Sequence, residues 1–152
     1  MLLIIAEKPS LARNIVAGIS HAKGGATLSR RDGSFEGCGC IVTWAFGHLF
    51  SLCDIEAYLP PEQITERWSI QNLPCFPDTF RFELRRKADK TVDAGVEKQF
   101  RILCELCNRP DVDTIANAGD ADREGEIIVR LCIEHALKPE RRAQCRLVRL
   151  WL

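Results

Sequence analysis

The chain has 152 residues, 46% hydrophobic and 28% charged, so it is long and apolar enough to bury the core of one globular domain and is not a disordered chain. Lys+Arg and Asp+Glu balance at 21 each, so bulk charge argues neither for nor against a nucleic-acid partner, and any binding surface is a local patch. No apolar run approaches a membrane span, and Met1 to Ile5 is too short for a signal-peptide core, so the eight cysteines read as reduced thiols of a cytoplasmic protein.

In chain order, "LLIIAE" (2–7) is a continuous apolar run suited to a strand buried on both faces. It feeds directly into "KPSLARNIVAGIS", where Pro9 and Ser10 are helix-start residues and Leu11, Ile15 and Ile19 recur every four positions. "ATLSRRDGSFEGCGCIVTWAF" (26–46) is expected to be a hairpin about the turn pair Asp32-Gly33, with Gly47-His48 ending its second arm. Residues 51–77 hold four prolines and little periodicity, which predicts an irregular excursion. "TFRFEL" (79–84) alternates Phe80, Phe82 and Leu84 with polar residues, as a strand does. Residues 91–107 form a helix with Val96, Phe100, Leu103, Cys104 and Cys107 on its apolar face. "DTIANA" (113–118) is a second short buried strand and 123–137 a helix with Ile127, Ile128, Leu131 and Cys132 inward. "CRLVRLWL" (145–152) is a final strand with no polar tail after it, the ending expected of an N-terminal piece of a larger protein. Strands alternating with helices predict an α/β fold, a mostly parallel sheet covered on both faces.

In such sheets the chemistry lies beyond the carboxyl ends of the strands. Two predicted strand ends carry acids here: Glu7 after the first strand, and Asp120, Asp122 and Glu124 in "NAGDADREGE" (117–126) after "DTIANA". Two like charges about 4 Å apart repel by roughly 4 kcal/mol at an effective dielectric of about 20, so carboxylates sharing a pocket need a proton or a cation between them. Hard oxygen ligands favour Mg²⁺, which suits phosphate substrates. A plainer reading is open: acids in a first helical turn complement the helix dipole, and Asp is a good N-cap. It accounts for one or two of these residues, but not for Asp120 ahead of the helix or for the acid at a second strand end.

"LIIAEKPSLARNIV", "VTWAFGHL", "RWSIQNLPCFPDTFRFEL" and "NAGDADREGEIIVRL" together resemble the Toprim domain of type IA DNA topoisomerases, most closely the topoisomerase III branch. The four segments occur in order and span nearly the whole chain. The resemblance implies a Rossmann-like Toprim fold over 1–152 with a β-hairpin insertion. It also implies specific roles: Glu7 as the general acid/base of DNA cleavage and rejoining, Lys8 as the basic residue that steadies the scissile phosphate or tunes the glutamate, and Asp120, Asp122 and Glu124 as Mg²⁺ ligands. Arg123 and Glu126 lie in the same signature, and His48 in "GHL" matches a motif near the active site; His48 and Arg123 are candidate DNA contacts. The nucleophilic tyrosine of this family belongs to a separate domain, and Tyr58, the single tyrosine, matches no nucleophile motif. The implied partners are therefore a single-stranded DNA segment and the remaining domains of a parent chain, without which the piece is not expected to relax DNA.

Other chemistry-bearing residues read as structural. Cys104 and Cys107 form a CxxC with no second pair, on an apolar helix face, so core packing is favoured over zinc. Cys38 and Cys40, two apart in a predicted strand, are expected to project to one face as buried thiols, and Trp44 and Trp151 are read as core. The basic residues at 85–87, Lys90, Arg141, Arg142, Arg146 and Arg149 are surface cations, some of which would touch phosphates. His21 and His135 carry no signal. Two alternatives stay open: a stand-alone Toprim nuclease or primase-like nucleotidyl transferase using the same acids, and a non-catalytic DNA-binding or assembly module in which the acids only cap a helix. A haloacid-dehalogenase-type phosphatase would carry its DxD after the first strand, where Glu7-Lys8 stands.

Overall fold

A computed structural model describes residues 1–64 and 70–151. The elements are β1 (Leu2–Ala6), α1 (Pro9–Ala22), β2 (Ser29–Arg31), β3 (Ser34–Gly37), β4 (Cys40–Trp44), β5 (Phe50–Leu52), β6 (Phe82–Leu84), α2 (Ala94–Cys107), β7 (Thr114–Ala118), α3 (Arg123–Ala136), a one-turn α4 (Pro139–Arg142) and β8 (Arg146–Arg149). Six strands form one sheet in the order β2-β3-β4-β1-β7-β8. The β4-β1-β7-β8 part is parallel and the β2-β3-β4 flank antiparallel. This is the expected mostly parallel α/β sheet with flanking helices.

β1 is central, which explains its unbroken apolar run. Leu3 and Ile5 face the core under α2 and α3, while Ile4 and Ala6 face the core under α1. Burying each Leu or Ile side chain contributes about 1.5–3 kcal/mol, so a polar substitution in β1 removes support from both layers. α2 starts at Ala94, three residues later than the expected boundary at 91, because Asp93 caps it by accepting from the Gly95 and Val96 amides. On that helix Val96, Leu103 and Cys107 are buried and Phe100 and Cys104 pack against the same core. Gln99 is buried among them and donates to the Trp44 carbonyl at 2.7 Å, tying α2 to β4.

Several expectations are corrected. The expected hairpin about Asp32-Gly33 is present as β2-β3, but its second arm is broken by a further turn at Cys38-Gly39, so the segment is a three-stranded meander that extends the main sheet. Cys38 therefore sits in a turn and is exposed while Cys40 is buried, and the two do not share a strand face. In α3 the buried stripe is Ile128, Val129, Cys132, Ile133 and Ala136; Ile127 falls outside it and is 48% exposed. Trp44 is buried against Phe35, but Trp151 is 68% exposed and lies under the Arg149 guanidinium. The 51–77 excursion is not wholly irregular, since it carries short 3₁₀ turns at Ile55–Tyr58, Pro61–Gln63 and Ile70–Asn72. Its sheet is the pair β5-β6, in which only Phe82–Leu84 of the expected 79–84 strand takes part. Arg67, Trp68 and Ser69 of the "RWSIQNLP" segment lie outside the described residues. His135, silent in the sequence, stacks on Phe50 with ring centroids 4.3 Å apart. Among the described residues no helix is long and apolar enough to cross a membrane.

Burial raises the thiols of Cys107 and Cys132 to about 12, from an ordinary value of 9.0. Keeping these thiols neutral stabilises the fold fully below pH 9.0 and progressively less as pH rises from there toward about 12. In the native protein an aromatic disulfide reagent should modify exposed Cys38 quickly, and Cys107 and Cys132 only at the rate of structural opening. Modification of Cys107 as fast as Cys38, read by mass spectrometry, would contradict this packing.

Candidate active site

Three strands end at the same level. Ala6 pairs with Trp44 on one side and with Ala118 on the other, so β1, β4 and β7 deliver their following residues to one edge of the sheet. Those residues are Glu7-Lys8 after β1, the loop reaching His48 after β4, and Gly119-Asp120 after β7. Hydrogen bonds hold the first two loops together, from the Gly47 amide to the Glu7 carbonyl at 3.1 Å.

The acidic loop then turns tightly onto the start of α3. A β-carbon built on Gly119 would lie 2.1 Å from the Gly125 carbonyl oxygen, and one on Gly125 would lie 2.5 Å from Asp120 backbone atoms. Two backbones approach here more closely than any side chain allows. Asp122 is the N-cap of α3, its Oδ1 accepting from the Gly125 amide at 2.7 Å. The capping reading of the acids therefore holds for Asp122, and Glu124 and Glu126 stand in the first turn where the helix dipole favours them.

Asp120, which capping does not explain, meets the other strand end. Its amide donates to Glu7 Oε2 at 3.3 Å, and its Oδ2 accepts from Lys8 Nζ at 2.7 Å. Asp120 and Glu7 together hold the Lys8 ammonium above its ordinary pKa, chiefly through the hydrogen bond to Asp120. The pair is about half exposed, 47% for Lys8 and 41% for Asp120, so water screens it. His48 Nε2 lies 3.0 Å from Glu124 Oε1. Arg123 is exposed and makes no ion pair among the described residues.

Below the loop lies a support that the sequence reading missed. Arg149, treated there as a surface cation, points inward from β8 and donates to the carbonyls of Asn117, Gly119 and Asp120 at 3.0, 3.0 and 2.8 Å. Its Nε lies 2.9 Å from Glu126 Oε2, and Arg130 also pairs with Glu126. Buried Asn117 donates to Glu126 and accepts the Gly119 amide at 3.0 Å. Glu126 is thus held within the network that shapes the loop. An Arg at the end of a short strand carries no pattern separating a backbone clamp from a solvated cation. Arg141 is likewise turned in, donating to the carbonyls of Arg109 and Val112, whereas Arg85, Lys87, Arg142 and Arg146 are exposed.

The donor chemistry of Glu7, Asp120, Asp122 and Glu124 suits a hard divalent cation, and the Lys8 ammonium already stands beside Asp120 as a cation. Each acid is engaged by a protein neighbour, and among the described residues no group of three acids, histidines or cysteines converges to hold a metal ion. Tyr58 lies on the excursion, where its hydroxyl donates to the Arg81 carbonyl and accepts the Arg81 amide at 2.8 Å.

The Toprim domain family matches residues 2–150. The chain is 35% identical over 150 residues to DNA topoisomerase 3 of Bacillus thuringiensis (strain Al Hakam), covering 99% of this chain and 18% of that protein. It is 36% identical over 135 residues to DNA topoisomerase 3 of Bacillus subtilis (strain 168), covering 88% of this chain and 16% of the relative. With DNA topoisomerase 3 of Shouchella clausii (strain KSM-K16) it shares 34% over 141 residues. The chain spans less than a fifth of the length of these curated relatives.

The Gly119–Gly125 contact makes a sharp prediction. Gly125→Ala should cost about 1–3 kcal/mol, the usual overpacking penalty, because neither backbone can retreat without moving Asp120. A thermal midpoint equal to the parent's would show that the loop does not pack this way.

Proposed function

Since this chain belongs to the Toprim domain family, we propose that it supplies the acid/base and cation-holding half of a type IA DNA topoisomerase of the topoisomerase 3 kind. The observation that carries this reading is the contact of Glu7 and Lys8 with Asp120 across two strand ends, in a chain whose relatives are named DNA topoisomerase 3.

The reaction is an exchange of phosphodiesters. A tyrosine hydroxyl gives up its proton to solvent as its oxygen attacks the DNA phosphorus, the bond from phosphorus to a deoxyribose oxygen breaks, and that oxygen must receive a proton as it leaves. Glu7 stands at the carboxyl end of β1 and donates that proton, then takes it back when the strand is rejoined. Lys8 places a full positive charge beside Glu7, where it meets the negative charge that builds on the phosphate oxygens. Asp120, Asp122 and Glu124 would hold Mg²⁺. When bound, the ion adds positive charge toward the phosphate.

His48 and Arg123, both exposed beside the acids, contact the single-stranded DNA segment. The attacking tyrosine comes from another domain of the parent chain, since the Tyr58 hydroxyl is committed to the Arg81 backbone. The compartment is the cytoplasm.

Glu7→Gln in the full-length parent should lower DNA cleavage by about 10²–10⁴-fold with an unchanged circular dichroism spectrum, the usual range for a general acid/base. Near-normal cleavage would remove Glu7 from the proton transfer. Titration of Mn²⁺ into this chain should reveal a site that the double variant Asp120→Asn/Asp122→Asn lacks, with thermal melts confirming that the variant is folded. Equal binding by both would refute the metal assignment, and strand scission by this chain alone would favour a stand-alone nuclease.

A further inference from the structure

We infer that Lys8 competes with the divalent cation for Asp120 and yields it when a phosphate draws the ammonium away, so that metal and phosphate bind cooperatively. This rests on the metal site proposed above.

Asp120 Oδ2 accepts Lys8 Nζ at 2.7 Å, Asp122 Oδ1 accepts the Gly125 amide, Glu124 faces His48, and Glu7 Oε2 accepts the Asp120 amide. Lys8 is the one ammonium or guanidinium among these partners, and it occupies Oδ2 of Asp120, a carboxylate of the proposed metal set. Two cations on one carboxylate repel, so Lys8 on Asp120 Oδ2 disfavours a divalent ion on the same group. The pair is half exposed and screened, and lysine is a hydrated point charge on a flexible four-carbon stem, so Lys8 can exchange one anionic partner for another. Lys8 leaves readily only if another anion takes it, and a backbone phosphate beside Glu7 is such an anion. Linkage then makes the effect reciprocal: phosphate raises metal affinity by the factor by which metal raises phosphate affinity.

The test is Mn²⁺ binding to this chain, read from the electron paramagnetic resonance signal of the free ion and by calorimetry, with no activity measured. Lys8→Gln should bind Mn²⁺ about three- to tenfold more tightly than the parent without DNA, the scale of one screened charge pair. Lys8→Arg, which keeps the charge, should remain within about twofold of the parent. A saturating short oligothymidylate should tighten Mn²⁺ binding to the parent and do so measurably less in Lys8→Gln. Equal Mn²⁺ affinity in the parent and Lys8→Gln would overturn the competition while leaving the metal site standing. Absence of binding in both, at millimolar Mn²⁺, would overturn the metal site and this inference together.

Discussion

The parallel pairing of β1 with both β4 and β7 in one register governs where every candidate functional group stands. Because Ala6 lies level with Trp44 and with Ala118, the residues that follow leave the sheet side by side. A slip of one residue in either ladder would turn the alternating core positions of β1 to the wrong faces, removing Leu3 and Ile5 from one core and Ile4 from the other. The same apolar packing that stabilises the sheet therefore holds Glu7 next to Asp120. No loop has to be ordered by its own contacts alone to make that encounter.

Crowded carboxylates are managed by distributing their partners over different elements. Asp122 is absorbed by the amide end of α3, Glu126 by Arg149 and Arg130, Glu124 lies against His48, and Asp120 pairs with Lys8. Asp122 as a helix cap and the Glu126 group are built into the fold, and Arg149, on the edge strand β8, also gathers the carbonyls of Asn117 at the end of β7 and of Gly119 and Asp120 in the acidic loop. The exposed pairs are screened and exchangeable. The site thus joins a rigid backbone scaffold to side chains whose ionic partners are free to change, a combination suited to a substrate that itself brings negative charge.

The chain's own pattern determined the layers and the ends of the strands. Continuous apolar runs marked β1 and β7 as buried, the fourfold spacing of Leu11, Ile15 and Ile19 marked α1, and the acids following those runs marked the edge where Glu7 and Asp120 meet. Local signals failed where neighbours in space decide. Gly37 and Gly39 flank Cys38 and permit a second turn, but that the chain turns there and takes Cys38 out of the strand holding Cys40 follows from pairing β3 with β4. Ile127 and Ile128 are equivalent as letters, and only the direction from which the sheet meets α3 buries one and exposes the other. Phe80 and Trp151 are apolar yet exposed among the described residues, since burial depends on what lies opposite.

The same division runs through the site. Sequence by itself placed Glu7, Lys8, Asp120, Asp122 and Glu124 at strand ends and helix start, since residue type and spacing along one chain suffice for that. The tertiary structure alone decided that Lys8 lies on Asp120, that His48 faces Glu124, and that Arg149 reaches under the loop rather than into solvent. These partners are separated by between 29 and 112 positions. Their meeting depends on strand order and register, which arise from the summed burial of a whole core and leave no mark on the short stretch around any one of them.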